Sequence, residues 1–92
     1  MLRVVNAKRL AKILAQMREN RTAVSFADQQ ALCGEFFGKP RQIGSQLVYR
    51  TPWPGDPRVN IQPGIDGRAK PYQVKQVLAA VDKMQGLRGE SL

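Results

Sequence analysis

The stretch GSQLVYRTPWPGDPRVNIQPGIDGRAKPYQVKQVL, from Gly44 to Leu78, decides the fold. Gln46 to Thr51 and Arg58 to Gln62 alternate or run apolar in the manner of strands. Between them Pro52, Pro54, Gly55 and Pro57 make a stiff hairpin loop carrying Trp53. Two uses are open for that indole: stacking on a base, or covering one end of the sheet. Pro63, Gly64 and Gly67 then form a loop leading to Pro71, a residue suited to the first turn of a helix. Val74, Val77, Leu78, Val81 and Met84 give the clearest helical stripe in the chain, with Lys75, Gln76, Asp82 and Lys83 off that face.

Upstream the periodicity is helical. Leu10, Ile13, Leu14 and Met17 follow an i, i+3, i+4, i+7 pattern, so residues from about Asn6 to Arg18 read as an amphipathic helix with Asn6 as its N-cap. Core packing is the first use of that stripe; a membrane surface or a partner groove would suit the same basic amphipathic helix. Ser25 and Asp28 form a capping pair, and Phe26, Leu32, Cys33, Phe36 and Phe37 continue a stripe until Gly38 and Pro40 stop it, which predicts a helix over Phe26 to Phe37. Asn20 to Val24 is a short linker, and Gln42 to Ile43 a short strand. The tail from Gly86 to Leu92 has no stripe and reads as loose. The order helix, helix, three antiparallel strands, helix predicts an α+β sandwich, with helices packed on one face of a three-stranded sheet and the other face free to bind.

Composition narrows the function. At 92 residues the chain is one domain with little room for a deep cavity, so a shallow surface that docks a polymer is the more natural working site. Fifteen Lys and Arg against seven Asp and Glu give a formal charge of +8, the electrostatic footprint of a nucleic-acid binder. A soluble basic domain without a polyanionic partner is the plainer alternative. Apolar runs are only a few residues long, which predicts a cytoplasmic protein without a membrane span. Cys33 is the only cysteine, which rules out an internal disulfide and reads as a buried thiol. The carboxylates Glu19, Asp28, Glu35, Asp56, Asp66, Asp82 and Glu90 are scattered without paired ligand spacing, so no metal or other cofactor is expected.

Three features converge in this expectation: the strand around Gln46, the basic residues Arg50 and Arg58 with Arg41 upstream, and the helix start carrying Lys70, Tyr72 and Lys75. A helix N-terminus offers unpaired N–H groups and partial positive charge, and lysines there add to its pull on phosphate. The edge between sheet and helix is therefore the expected place for an RNA backbone. A non-catalytic RNA-binding or regulatory module fits the same features. DNA binding through a helix-turn-helix fits less well, because of the three-strand segment.

The segments SFADQQALCGEFFG, IGSQLVYR, RVNIQ and AKPYQVKQVLAAVDKM, in this order and with these gaps, resemble the HicA toxins, small endoribonucleases of bacterial type II toxin–antitoxin systems. The resemblance spans roughly Val24 to Met84. It implies a fold like the double-stranded RNA-binding domain over residues 1–85, with residues 1–20 an added N-terminal helix and 86–92 a tail. It implies metal-independent cleavage of mRNA and neutralisation by a HicB-type antitoxin, whose surface should be acidic to match the cations. In that family the residue after Gly-Ser is a histidine needed for cutting. Here Gly44 and Ser45 match and Gln46 stands at the histidine position, in a chain without a single histidine.

Histidine suits metal-free RNA cleavage because its pKa lies near neutrality, so it can take the proton of the ribose 2′-OH. A glutamine amide donates and accepts hydrogen bonds but does not titrate in that range. Three explanations of Gln46 stand open: a toxin deliberately disarmed, a natural homologue with lost or weakened activity, or an active site built differently.

Overall fold

The computed structural model describes residues 7–89. Three helices, α1 (Ala7–Glu19), α2 (Phe26–Phe37) and α3 (Pro71–Arg88), pack with three strands, β1 (Arg41–Ile43), β2 (Gln46–Tyr49) and β3 (Val59–Ile61), in the order α1-α2-β1-β2-β3-α3. Both strand pairs are antiparallel and the sheet order is β1-β2-β3. The architecture is thus a small α+β fold.

α1 buries Leu10, Ile13, Leu14 and Met17, the four stripe residues expected. Its charges stay outside, where Arg9 pairs with Asp28 of α2 and Arg18 grips both carboxylate oxygens of Asp82 on α3. Asn6, expected as the N-cap, lies outside the described residues. Between α1 and α2 the chain is not a plain linker: residues Arg21–Ala23 make one 3-10 turn, and the Asn20 carboxamide caps it by accepting from the Thr22 N–H at 3.0 Å. α2 begins where Ser25 Oγ accepts from the Asp28 N–H and ends at Gly38, whose φ of 83° only glycine adopts without strain.

The register separates the two sheet faces. Side chains alternate along a strand, and directly paired residues share a face. Leu47 pairs with Ile61 and Tyr49 with Val59; these four point at the helices and join the core with Val74, Val77 and Val81 of α3. The opposite face therefore carries Arg41 and Ile43 of β1, Gln46 and Val48 of β2, and Asn60 of β3. No Asp or Glu lies among these outward positions or at their continuations Arg50, Arg58 and Gln62.

Three expectations are corrected. The strands are shorter than the apolar runs, because Thr51 turns to donate to the Trp53 carbonyl and Pro52 has no N–H for a ladder. At the other end the Gln62 N–H donates to the side chain of Gln73 and leaves β3 at Ile61. α3 runs through Gly86 to Arg88, where Gly89 in the left-handed region caps it and Arg88 donates to the Phe36 carbonyl of α2.

Candidate nucleic-acid interface

Gly44 and Ser45 are the two turn residues between β1 and β2, since Ile43 pairs with Gln46. Gly44 has a φ of 61° while Ser45 has no positive φ, the pattern of a type II′ hairpin turn. Glycine at this position is required by the turn, whatever chemistry the neighbouring side chains perform.

Gln46, the first residue of β2, is half-buried on the outer face. Its Nε2 donates to Gln62 Oε1 at 3.4 Å, and Gln62 Nε2 donates to Ser45 Oγ at 3.3 Å. The backbone N–H of Gln62 donates in turn to Gln73 Oε1 at 3.0 Å, in the first turn of α3. A chain of amides thus links position 46 to the start of α3. The helix start beside that corner carries Lys70 as its N-cap residue, with no side-chain capping bond, and Tyr72 and Lys75 are exposed in its opening turns. Tyr72 is 69% exposed and its hydroxyl accepts from Gln76 Nε2.

The loop before α3 is tied down at several points. Gly64 N–H donates to the Arg68 carbonyl at 2.8 Å, Pro63 bridges to Ala69, and Ala69 N–H donates to the Val24 carbonyl at 2.8 Å. A Cβ on Gly64 would stand 3.1 Å from the Arg68 carbonyl oxygen and 3.3 Å from Lys70 Cγ, so this glycine lets the lysine stem lie against the loop.

Arg41, Arg50 and Arg58 do not join that corner. Arg50 and Arg58 flank the Tyr49–Val59 pair at the hairpin-loop end of the sheet, and Arg41 pairs with Val48. Arg50 stands four residues along the strand from Gln46, about 13 Å at strand rise. The residues expected as a single constellation are therefore spread between the start of α3 and the hairpin-loop end of β2. Among the described residues none of Arg41, Arg50, Arg58, Lys70 or Lys75 forms an ion pair, whereas Arg9 and Arg18 on the helical side do.

Trp53 is only 8% exposed, and of its two open uses the structure takes packing. Its Nε1 donates to the Pro57 carbonyl at 3.0 Å, its ring meets Phe37 edge-on at 6.3 Å, and the Lys83 ammonium lies 4.9 Å from its centroid. Cys33 is buried as expected, and burial pushes its thiol up to about 12, away from reactivity.

Gln62, Gln73 and Asn60 were not singled out from the sequence. Alternation through RVNIQ would have placed Arg58, Asn60 and Gln62 together on one face; the Gln73 contact crosses between elements and leaves no local trace. Among the described residues no group of three His, Cys, Asp or Glu side chains could hold a metal, and no helix is long and apolar enough to cross a membrane. No protein-family model, no curated protein and no solved structure matches the chain.

Proposed function

We propose that this chain is a cytoplasmic toxin of the HicA kind, a metal-independent endoribonuclease by descent that binds mRNA and whose cutting position holds Gln46. In this proposal the sandwich is a variant of the double-stranded RNA-binding domain, α1 is added to it, and an acidic HicB-type antitoxin covers the cations of the same face. The observation that carries the reading is the amide chain from Gln46 through Gln62 to Gln73, which couples the outward start of β2 to the lysine-flanked start of α3. Backbone phosphate sits against Lys70, Lys75 and the uncapped N–H groups of α3. The ribose next to that phosphate then faces Gln46. Cleavage needs a group that removes the 2′-OH proton while the phosphate takes up the developing charge. Gln46 holds that hydroxyl by hydrogen bonding and does not carry its proton away.

The test compares the chain with its Gln46→His variant on a messenger RNA in metal-free buffer, following fragments by gel. The His variant is expected to cut about 10²- to 10⁴-fold faster, the usual worth of general acid–base catalysis. Equal and strong cutting by both would remove Gln46 from the catalytic position. A non-catalytic RNA-binding module is the second reading, favoured by the absence of any histidine from the chain. It predicts salt-sensitive RNA binding with no turnover by either version.

A further inference from the structure

The corner beside Gln46 leaves the cations at the far end of β2 without a task. Three open grooves reach Arg50, one toward Met84 and Arg88 on the helical side and two along the sheet that carry its further cations. The first of these two, of about 520 Å³, runs between the end of α2 and the sheet past Lys39, Arg41 and Val48. The second, of about 260 Å³, lies under the hairpin loop and includes Arg58 and Asn60. Cations from three separate segments, the α2–β1 connection with β1, the end of β2 and the start of β3, thus face one junction. Outward acidic residues, which would neutralise it, are missing from the strand positions around it.

Between this junction and the Gln46 corner the outer face changes character. Gln46, Asn60 and Gln62 present carboxamides, and Val48 and Ile43 present aliphatic surface, with Ile43 51% exposed. Carboxamides flanked at both ends by unpaired cations match a nucleic-acid strand, whose phosphates need positive charge and whose bases and riboses need hydrogen-bond partners. An acidic peptide would match the cations but leave the amides between them unexplained.

We infer that the Arg50 junction is a second backbone-anchoring site for RNA, about 13 Å along β2 from position 46, so that the bound strand runs the length of the outer sheet face. This rests on the RNA reading proposed above and adds a footprint to it. The strand is held at both ends of β2, with Lys39, Arg41, Arg50 and Arg58 contacting phosphates beyond the position that faces Gln46.

The experiment uses three double charge reversals and a labelled single-stranded RNA of about 12 nucleotides, a length in the range small domains cover. Arg50→Glu with Arg58→Glu alters the junction, Lys70→Glu with Lys75→Glu alters the corner, and Lys8→Glu with Lys12→Glu makes the same change of net charge on the exposed side of α1. All six side chains are outside the core, and circular dichroism checks each fold. Anisotropy titrations at several salt concentrations give affinity and salt slope. The junction pair is expected to weaken binding at least about tenfold relative to the α1 pair and to flatten the salt slope by about one to two, as the loss of two phosphate contacts requires. A junction pair that binds like the α1 pair, with the corner pair alone impaired, overturns the second anchor and leaves the RNA reading standing. An unmodified chain that does not bind the RNA overturns both.

Discussion

Replacing Trp53 by alanine separates the two roles an indole beside prolines can play. The ring is 8% exposed, so truncation removes a nearly complete burial and should carry the loss of about 3–5 kcal/mol seen for large aromatic core residues. Within that sum the Nε1 bond to the Pro57 carbonyl contributes about 1 kcal/mol and the Lys83 contact about 0.5–1 kcal/mol. Against a total stability of about 5–15 kcal/mol for a domain of this kind, that is a fifth or more of what holds the protein together. Trp53→Phe keeps an aromatic ring beside Phe37 but loses the hydrogen bond, part of the buried ring volume and part of the Lys83 contact, and leaves the Pro57 carbonyl without its donor; it should cost about 1–3 kcal/mol. Urea titration followed by circular dichroism measures both, since the indole fluorescence is lost with the only tryptophan. Were Trp53→Ala to unfold within about 1 kcal/mol of the parent while losing RNA affinity, the indole would be a stacking platform and the packing assignment would fall.

Alkaline stability follows from two buried acids. Burial raises both the Cys33 thiol and the Tyr49 hydroxyl to about 12, the neighbouring Cys33 adding to the rise at Tyr49. Both folded values lie above the unfolded ones, so the unfolded chain releases these protons first. Their contribution is whole below about pH 9 and is lost as pH climbs toward 12, by about 1.4 kcal/mol per pH unit for each group ionised only in the unfolded state. Stability that still rises above about pH 10 would contradict their burial. Ser25→Ala removes the oxygen that caps α2 at the Asp28 N–H and should cost about 1 kcal/mol in the same urea assay. Gly64→Ala brings a methyl to 3.1 Å of the Arg68 carbonyl and should cost about 1–2 kcal/mol while weakening RNA binding through the displaced Lys70; an unchanged urea midpoint would show that the loop yields freely.

Much of the fold is legible in the sequence because its signals are local. The Ser25 hydroxyl and the Gly38 stop bound α2 at the expected residues, and the 3.6-residue stripe of α1 is buried side chain for side chain. The end of α3 is not legible in this way. Gly86 breaks the stripe at a cost of only about 1 kcal/mol, and the helix continues because Arg88 reaches the Phe36 carbonyl and Gly89 can close it. The candidate site is half legible for a related reason. Motif order brings the start of α3 to the end of β3, where Gln73 meets Gln62, but the separation of Arg50 and Arg58 from Gln46 is a matter of register. Register depends on which residue pairs with which, and Leu47 opposite Ile61 is decided by burial against α3 rather than by either strand alone. Trp53 shows the same dependence, since a proline-rich loop advertises a turn without saying which way its aromatic side chain points.

The claim on which the functional account stands is that RNA lies on the outer face of the sheet and passes position 46. Side-chain amide resonances of Gln46, Asn60 and Gln62, followed by nuclear magnetic resonance as single-stranded RNA is added, report on that face directly. These three are expected to shift together with the backbone amides opening α3, while those of α1 stay still. Shifts confined to α1 and α2, with the three carboxamides unmoved, would contradict that claim.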